Sequence, residues 1–257
     1  MMNEKPMEYT EDELITRLWD TEYIRHTMNR FCYYLSNEEA RRAINELWVT
    51  KPENRQSASL GVNTGYYAGL GEVVRHLVLD RDRRLYQNLE ARHAADASVE
   101  NANSWLGYGC SRMCTLTTPL IVIADDGRSA RFLGISPGFM SEGKPYGMVD
   151  AYITFDLIVA DLLKEDGEWR IWHLTFAHDH TVECGTNYAN VPIFDWDDPV
   201  TMRDGEPTVK RDVYNPLYGW EHIYDDMPRN YYTYTERDGY GPDSDFGKPY
   251  YGRRRHW

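Results

Sequence analysis

The sequence predicts an α+β domain in which helices cover one face of a curved antiparallel sheet. Three observations point there. Apolar residues recur at helical spacing early in the chain, the period shifts toward two from Leu116 onward, and each later apolar stretch is broken by an Asp-Gly pair. Asp-Gly is the dipeptide that closes a tight hairpin, because both central residues of that turn need positive φ. Helices first and antiparallel strands after them make a layered fold with the helices on one sheet face.

Each element has a local cause. Thr10 followed by Glu13 reads as a capping box, and Leu14, Leu18, Ile24, Met28, Phe31 and Leu35 then recur on a helical face. Ser36 with Glu39 is a second capping signal, opening "NEEARRAINELW" as a helix that meets the first at a tight corner. "SASLGVNTGYYAG" is punctuated by glycines and predicts a short strand or a bent one. "GEVVRHLVLDRDRRLYQNLEARHAADA" predicts a long amphipathic helix. "LTTPLIVIADDGRSARFLGI" reads as strand, turn, strand, and "DAYITFDLIVADLLKEDGEWRIWHLTFAHD" as a longer hairpin turning at Asp166-Gly167. Residues 10–190 are expected to form this domain. Residues 191–257, rich in Pro, Gly, Asp and Tyr and lacking sustained periodicity, predict an arm that lies across the domain or a neighbouring subunit.

Composition narrows the function classes. The 257 residues carry a formal net charge of −13, which repels nucleic acid and anionic membranes; the basic ending "GRRRHW" is too short to reverse that. No apolar run reaches membrane-spanning length. Cys32, Cys110, Cys114 and Cys184 show no C-x-x-C spacing, so buried free thiols in a reducing cytoplasm are expected.

The stretch "IWHLTFAHDH" holds three of the histidines. With a two-residue turn at Asp166-Gly167, facing residues sum to one constant, which sets His173 opposite Ala160 and His178 opposite Phe155. Leu157, Val159, Trp172, Leu174, Phe176 and His178 then share a bulky apolar face for the helices to cover. Asp156, His173, Thr175, Ala177 and Asp179 share a small, mixed face suited to solvent or another subunit. A slip or bulge exchanges these assignments, so both stay open. A histidine ending an apolar strip suits acid–base work, its ordinary pKa lying close to neutral pH.

Other chemistry is weaker. "GISPG" matches the nucleophile-elbow pattern around Ser136, but Pro137-Gly138 marks a turn where that motif needs a helix. His178, His180 and Cys184 could share a strand face as metal ligands, yet no recognised zinc spacing supports them. "GLGEVV" lacks the third glycine of a dinucleotide fingerprint.

The pieces "RLWDTEYIRHTMNRFCYYLSNEEARRAINELW", "GYYAG", "TTPLIVIADDGRSARF" and "LLKEDGEWRIWHL" resemble, in order, the SnoaL-like branch of the nuclear transport factor 2 family, whose members include scytalone dehydratase and bile-acid dehydratase. The resemblance implies a cone-shaped barrel, its sheet wrapped around long N-terminal helices. It also implies an apolar pocket, a small-molecule substrate, no metal or organic cofactor, and a homo-oligomer, dimer or trimer. Two departures stand out: "YYLSNEE" puts Ser36 and Asn37 where an acid is usual, and "SRMCTLTTP" puts Cys114 where a histidine is common.

The expected function is a lyase (dehydratase) or isomerase moving protons on a hydrophobic cyclic or aromatic carbonyl or hydroxyl compound. A non-catalytic binding or assembly protein of the same fold is the alternative. In the catalytic version Tyr34, or Tyr33, donates a hydrogen bond to the substrate oxygen, and His178, or His173, carries the proton. Asp156 or Asp179 orients the imidazole, with Asn63, Tyr66, Tyr67, Trp172 and Phe176 lining the substrate site.

Overall fold

The computed structural model describes residues 9–83, 86, 87, 90, 94, 111–143, 149–184, 206–211, 213 and 227–247. Helix α1 (Glu11–Ser36) opens on the expected capping box: the Glu13 amide donates to Thr10 Oγ1 at 3.3 Å and the Thr10 amide donates to Glu13 Oε2 at 2.8 Å. It is followed by α2 (Ala40–Leu47) and α3 (Pro52–Ser57). Ser36 does not cap α2 as its spacing suggested. Its hydroxyl donates back to the Cys32 carbonyl, and α2 begins without a side-chain cap.

"SASLGVNTGYYAG" folds as a hairpin of two strands, β1 (Ser59–Val62) and β2 (Gly65–Ala68). The expected long helix begins as α4 (Leu70–Val74) and passes into a π-helical segment, Arg75–Asp80; most of the remainder lies outside the described residues. The later strands are β3 (Ser111–Met113), β4 (Thr117–Ile123), β5 (Ser129–Gly143), β6 (Val149–Glu165), β7 (Glu168–Glu183) and β8 (Val209–Lys210). At the β6–β7 turn Asp166 and Gly167 have φ of 51° and 88°, the positive values a primed turn requires.

The strand order is β3-β5-β6-β7-β1-β2-β8, with β4 also paired to β5. The sheet is mixed rather than purely antiparallel, because β1 runs parallel to β7. Helix α1 lies along one face, tied in its N-terminal half. Arg17 donates to the Ile123 and Ala124 carbonyls, and Asp20 accepts from Lys164 Nζ and Trp169 Nε1 at 2.8 Å each. Phe31, Met28 and Leu35 of α1 bury against Phe132, Ile158, Leu174 and Phe176 to make the main core.

The outer sheet face is buried too. Tyr66, Leu133, Leu157, Val159 and Ala177 pack with Val213, Tyr240 and Phe246 from the last third of the chain. That face read as small and mixed in the sequence, yet it supports a second apolar layer. Among the described residues no helix is long and apolar enough to cross a membrane.

Gly61 shows how closely the β1–β7 junction is packed. A Cβ there would come 2.3 Å from Thr175 Oγ1 and 2.8 Å from the Tyr66 ring. Gly61→Ala is therefore expected to cost roughly 1–3 kcal/mol, as overpacking of a buried site does. Urea unfolding of the variant measures this; wild-type stability would show that β1 can move off β7.

Candidate active site

Pairing across β5, β6 and β7 builds two rows of three polar residues, one on each sheet face. The helix-side row is Ser136–Asp156–His178 and the outer row is Arg131–Asp161–His173. They fall on opposite faces because five residues separate the two members on each strand, and the register expected from the turn lasts only from Glu165–Glu168 to Leu162–Ile171. A bulge at Trp172 then shifts it, so His173 faces Asp161 rather than Ala160, and His178 faces Asp156 rather than Phe155. Leu157 and Val159 consequently leave the face they were expected to share with Leu174 and Phe176 and join the outer layer. A second shift sets His180 opposite Phe155 and leaves Asp179 at the irregularity, its side chain outside the described residues.

In the helix-side row, His178 Nδ1 lies 2.7 Å from Asp156 Oδ1. Nδ1–H donates to the carboxylate in the neutral ring, which leaves the Nε2 lone pair to take a proton. Nε2 has no hydrogen-bond partner among the described residues. The His178 side chain is 31% exposed and that of Asp156 12%. Burial pulls the imidazole pKa down, but the charge and hydrogen bond of Asp156 outweigh it and hold the pKa above its ordinary value; Arg112 opposes weakly.

Asn63 fixes the backbone at this point. Its Oδ1 accepts from the His178 amide at 2.8 Å and its Nδ2 donates to the His178 carbonyl at 2.9 Å. The residue is buried in the β1–β2 turn, so it acts as a clamp between that turn and β7. Phe176 stacks on the His178 ring with centroids 6.4 Å apart and meets Phe31 of α1 at 6.1 Å, giving the imidazole an apolar wall. Ser136 continues the row and lies 3.7 Å from Cys114 Sγ. It sits in the middle of β5, where "GISPG" runs straight through without the turn that Pro137-Gly138 suggested.

The outer row cannot do the same work. His173 is buried, and its Nδ1 lies 2.8 Å from Ser59 Oγ. Gly241 presses its backbone onto the ring: an added Cβ would lie 2.9 Å from Nε2. Burial alone pushes the His173 pKa down to about 3. Asp161 beside it is fully buried, and desolvation raises its pKa to about 7 despite the Tyr240 amide at 2.6 Å and the nearby Arg131. An uncharged imidazole under a sealed layer is a structural group.

The other expected residues scatter. The Tyr34 hydroxyl donates to Glu46 Oε2 at 2.6 Å and accepts from Arg30 at 2.8 Å, on the side of α1 that faces α2. Tyr33 is 71% exposed. Tyr66 belongs to the outer layer, its hydroxyl accepting from Arg211 at 3.1 Å. Tyr67 belongs to the main core and stacks on His76 at 3.9 Å. Trp172 occupies the bulge, its indole N–H donating to Ser57 Oγ at 3.0 Å and its ring packed against His173 and Tyr234. The structure brings together His178, Asp156, Phe176 and Asn63, and adds Ser136, Arg112 and Cys114 to their surroundings.

Fold and site together describe an α+β protein whose curved sheet turns a carboxylate-paired imidazole toward its helices. No family model and no curated protein matches the sequence. In three dimensions the chain is similar to several solved structures. One is a scytalone dehydratase-like protein from Novosphingobium aromaticivorans, at TM-score 0.44 and 12% identity, covering 68% of this chain and 93% of that one. A second is hexachlorocyclohexane dehydrochlorinase LinA-type3 from Novosphingobium barchaimii, at TM-score 0.44 and 13% identity, covering 69% and 98%. A third is an NTF2-like protein with a cystatin-like fold from Novosphingobium aromaticivorans, at TM-score 0.41 and 14% identity, covering 72% and 96%.

Two titrations follow from these geometries. Asp156→Asn removes the charge that raises the His178 pKa and leaves the burial that lowers it, so NMR titration should place that imidazole below its ordinary value. An unchanged midpoint would mean the carboxylate does not govern the ring. For His173 the sign is reversed. Between its ordinary value of 6.5 and about 3 the unfolded chain takes up a proton that the folded chain refuses, so this group makes stability fall as pH drops through that window. His173→Asn should flatten the loss between about pH 6.5 and about pH 4 by roughly 2–3 kcal/mol in urea unfolding.

Proposed function

We propose that the chain is a cofactor-independent lyase, a dehydratase, or an isomerase that moves a proton on a hydrophobic cyclic or aromatic carbonyl or hydroxyl compound. The observation that carries this reading is the 2.7 Å pairing of His178 Nδ1 with Asp156 on the helix side of the sheet, with Nε2 left to accept a proton. In the dehydration version, Nε2 removes a proton from the carbon beside the carbonyl, and the imidazolium formed is stabilised by Asp156. The carbon–oxygen bond at the neighbouring carbon then breaks as the double bond forms. The departing hydroxide takes the proton from His178 and leaves as water, returning the base to its starting state. In the isomerase version the same proton is returned to a different carbon.

Negative charge develops on the carbonyl oxygen in either case and needs a donor. Tyr34 has its hydroxyl engaged with Glu46, so the role passes to Arg112, whose charge reaches both His178 and Cys114. Phe176 and Phe31 supply the apolar contact that suits a ring-bearing substrate. In the same proposal residues 10–190 form the catalytic domain, and residues 191–257 form an arm that packs against the outer sheet face.

A panel of phenolic and steroidal ketones and alcohols, followed by mass spectrometry for loss of water and by NMR for double-bond migration, tests this. On a compound the protein converts, His178→Ala is expected to lower kcat/KM by at least about 100-fold, the usual range for losing a general base. Asp156→Asn should move the acid limb of the pH–rate profile to lower pH. Tight binding of the whole panel without conversion would favour a non-catalytic binding protein, and unchanged turnover by His178→Ala would remove the assignment of the base.

A further inference from the structure

Two sulfurs meet beside the acid–base pair and have no part in its chemistry. Cys32, in the last turns of α1, and Cys114, just past β3, bring their Sγ atoms to 3.2 Å. One hydroxyl holds both backbones in place: Ser36 Oγ donates to the Cys32 carbonyl at 2.9 Å and accepts from the Cys114 amide at 2.9 Å. The placement is therefore built by the end of a helix and the end of a strand, with the two cysteines 82 residues apart in the sequence. The environments of the two thiols are unequal. Cys32 is buried in the main core, whereas Cys114 is only half-buried.

We propose that Cys32 and Cys114 are a peroxide-sensitive redox pair, in which Cys114 is oxidised first and Cys32 closes an intramolecular disulfide. The inference stands apart from the function proposed above, since it rests on the placement of the two sulfurs and not on any proton transfer to a substrate. The Cys114 thiolate attacks the outer oxygen of a small hydroperoxide. An S–O bond forms, the O–O bond breaks, and the alcohol or water released carries away the proton that Cys114 gave up. The Cys32 thiol then attacks the sulfenic sulfur; an S–S bond forms, the S–O bond breaks, and hydroxide leaves as water with the Cys32 proton. Two thiols are oxidised by two electrons, and the hydroperoxide is reduced.

The electrostatics suit this order. The hydrogen bond between the sulfurs draws the Cys114 pKa below its ordinary value against the effect of burial, with the charge of Arg112 and the Ser136 hydroxyl helping and Asp156 opposing. The same hydrogen bond, together with burial, pushes Cys32 up and keeps it a thiol. The more accessible sulfur is thus the one that ionises, as a reacting cysteine needs, and the buried one is held ready as the resolving partner. Closing the gap from 3.2 Å to a bond of about 2.05 Å takes a movement of roughly 1 Å.

The test uses the full chain carrying Cys110→Ser and Cys184→Ser, treated with hydrogen peroxide and mapped by non-reducing digestion and mass spectrometry. The expected result is a Cys32 peptide joined to the Cys114 peptide, lighter by two hydrogens than their sum. Dithiothreitol should reverse it, and the oxidised form should show a raised Tm because a long loop has been closed. Adding Cys32→Ser should instead leave a sulfenic acid at Cys114 that a dione probe traps. Recovery of both thiols unmodified, or sulfinic acid accumulating at Cys114 while Cys32 stays free, overturns the proposal. Where the two serine substitutions prevent folding, the same digestion of the wild-type chain decides, and linkage through Cys110 or Cys184 counts against it.

Discussion

One extra residue in β7 decides what both faces of the sheet can do. Side chains alternate along a strand, so inserting Trp172 between two paired registers exchanges the face of every residue that follows. His178 points toward the helices because of it, and His173 points away. The insertion is held from several sides. The Val49 amide donates to the Ile171 carbonyl just before it, the Trp172 indole is anchored on Ser57, and β1 begins its parallel pairing at His173 just after it. A strand added in parallel at this point, with Asn63 at its far end gripping the His178 backbone, fixes both the start and the finish of the displaced segment.

The two polar rows show how little residue identity says about chemistry. Each contains an aspartate and a histidine from the same pair of strands. In one, the carboxylate touches the imidazole and the ring gains proton affinity. In the other, the carboxylate turns to the Tyr240 amide, the imidazole turns to Ser59, and both lose charge. Solvent access separates them: the layer of Val213, Tyr240 and Phe246 excludes water from the outer row, and ionised groups are costly there without full pairing. Burial combined with a direct partner tunes a group, whereas burial alone silences it.

Features encoded within a few residues were legible in the sequence. The Thr10 capping box and the turns at Asp126-Gly127 and Asp166-Gly167 depend on neighbours only, and the helix-then-hairpin order gives the layer class directly. The bulge was not legible, because nothing in "RIWHL" distinguishes an inserted tryptophan from a paired one. With the register went the face assignments of Asp156, Leu157 and Val159. Ser136, Arg112 and Cys114 reach the neighbourhood of His178 through long-range strand pairing, and the sole hint was that "SRMC" places a cation two residues before a cysteine. Tyr34 looked like a substrate donor until α2 supplied Glu46 as its partner, a contact that depends on how two helices pack. The outer face read as solvent-facing because its cover comes from sequence without periodicity.

The margins of the sheet carry a consequence of their own. On one side β2 is capped by β8, a strand of two residues. On the other, β4 contains Pro119 within a register shift, next to Thr118 at φ 48°, and β3 is three residues long. Short, kinked or proline-bearing borders give an incoming strand little to hydrogen-bond, so neither margin invites β-augmentation. Copies of this chain that do associate would have to meet through side chains. An apolar surface open to them is the row of Leu14, Leu18, Trp19 and Tyr23 along the solvent side of α1.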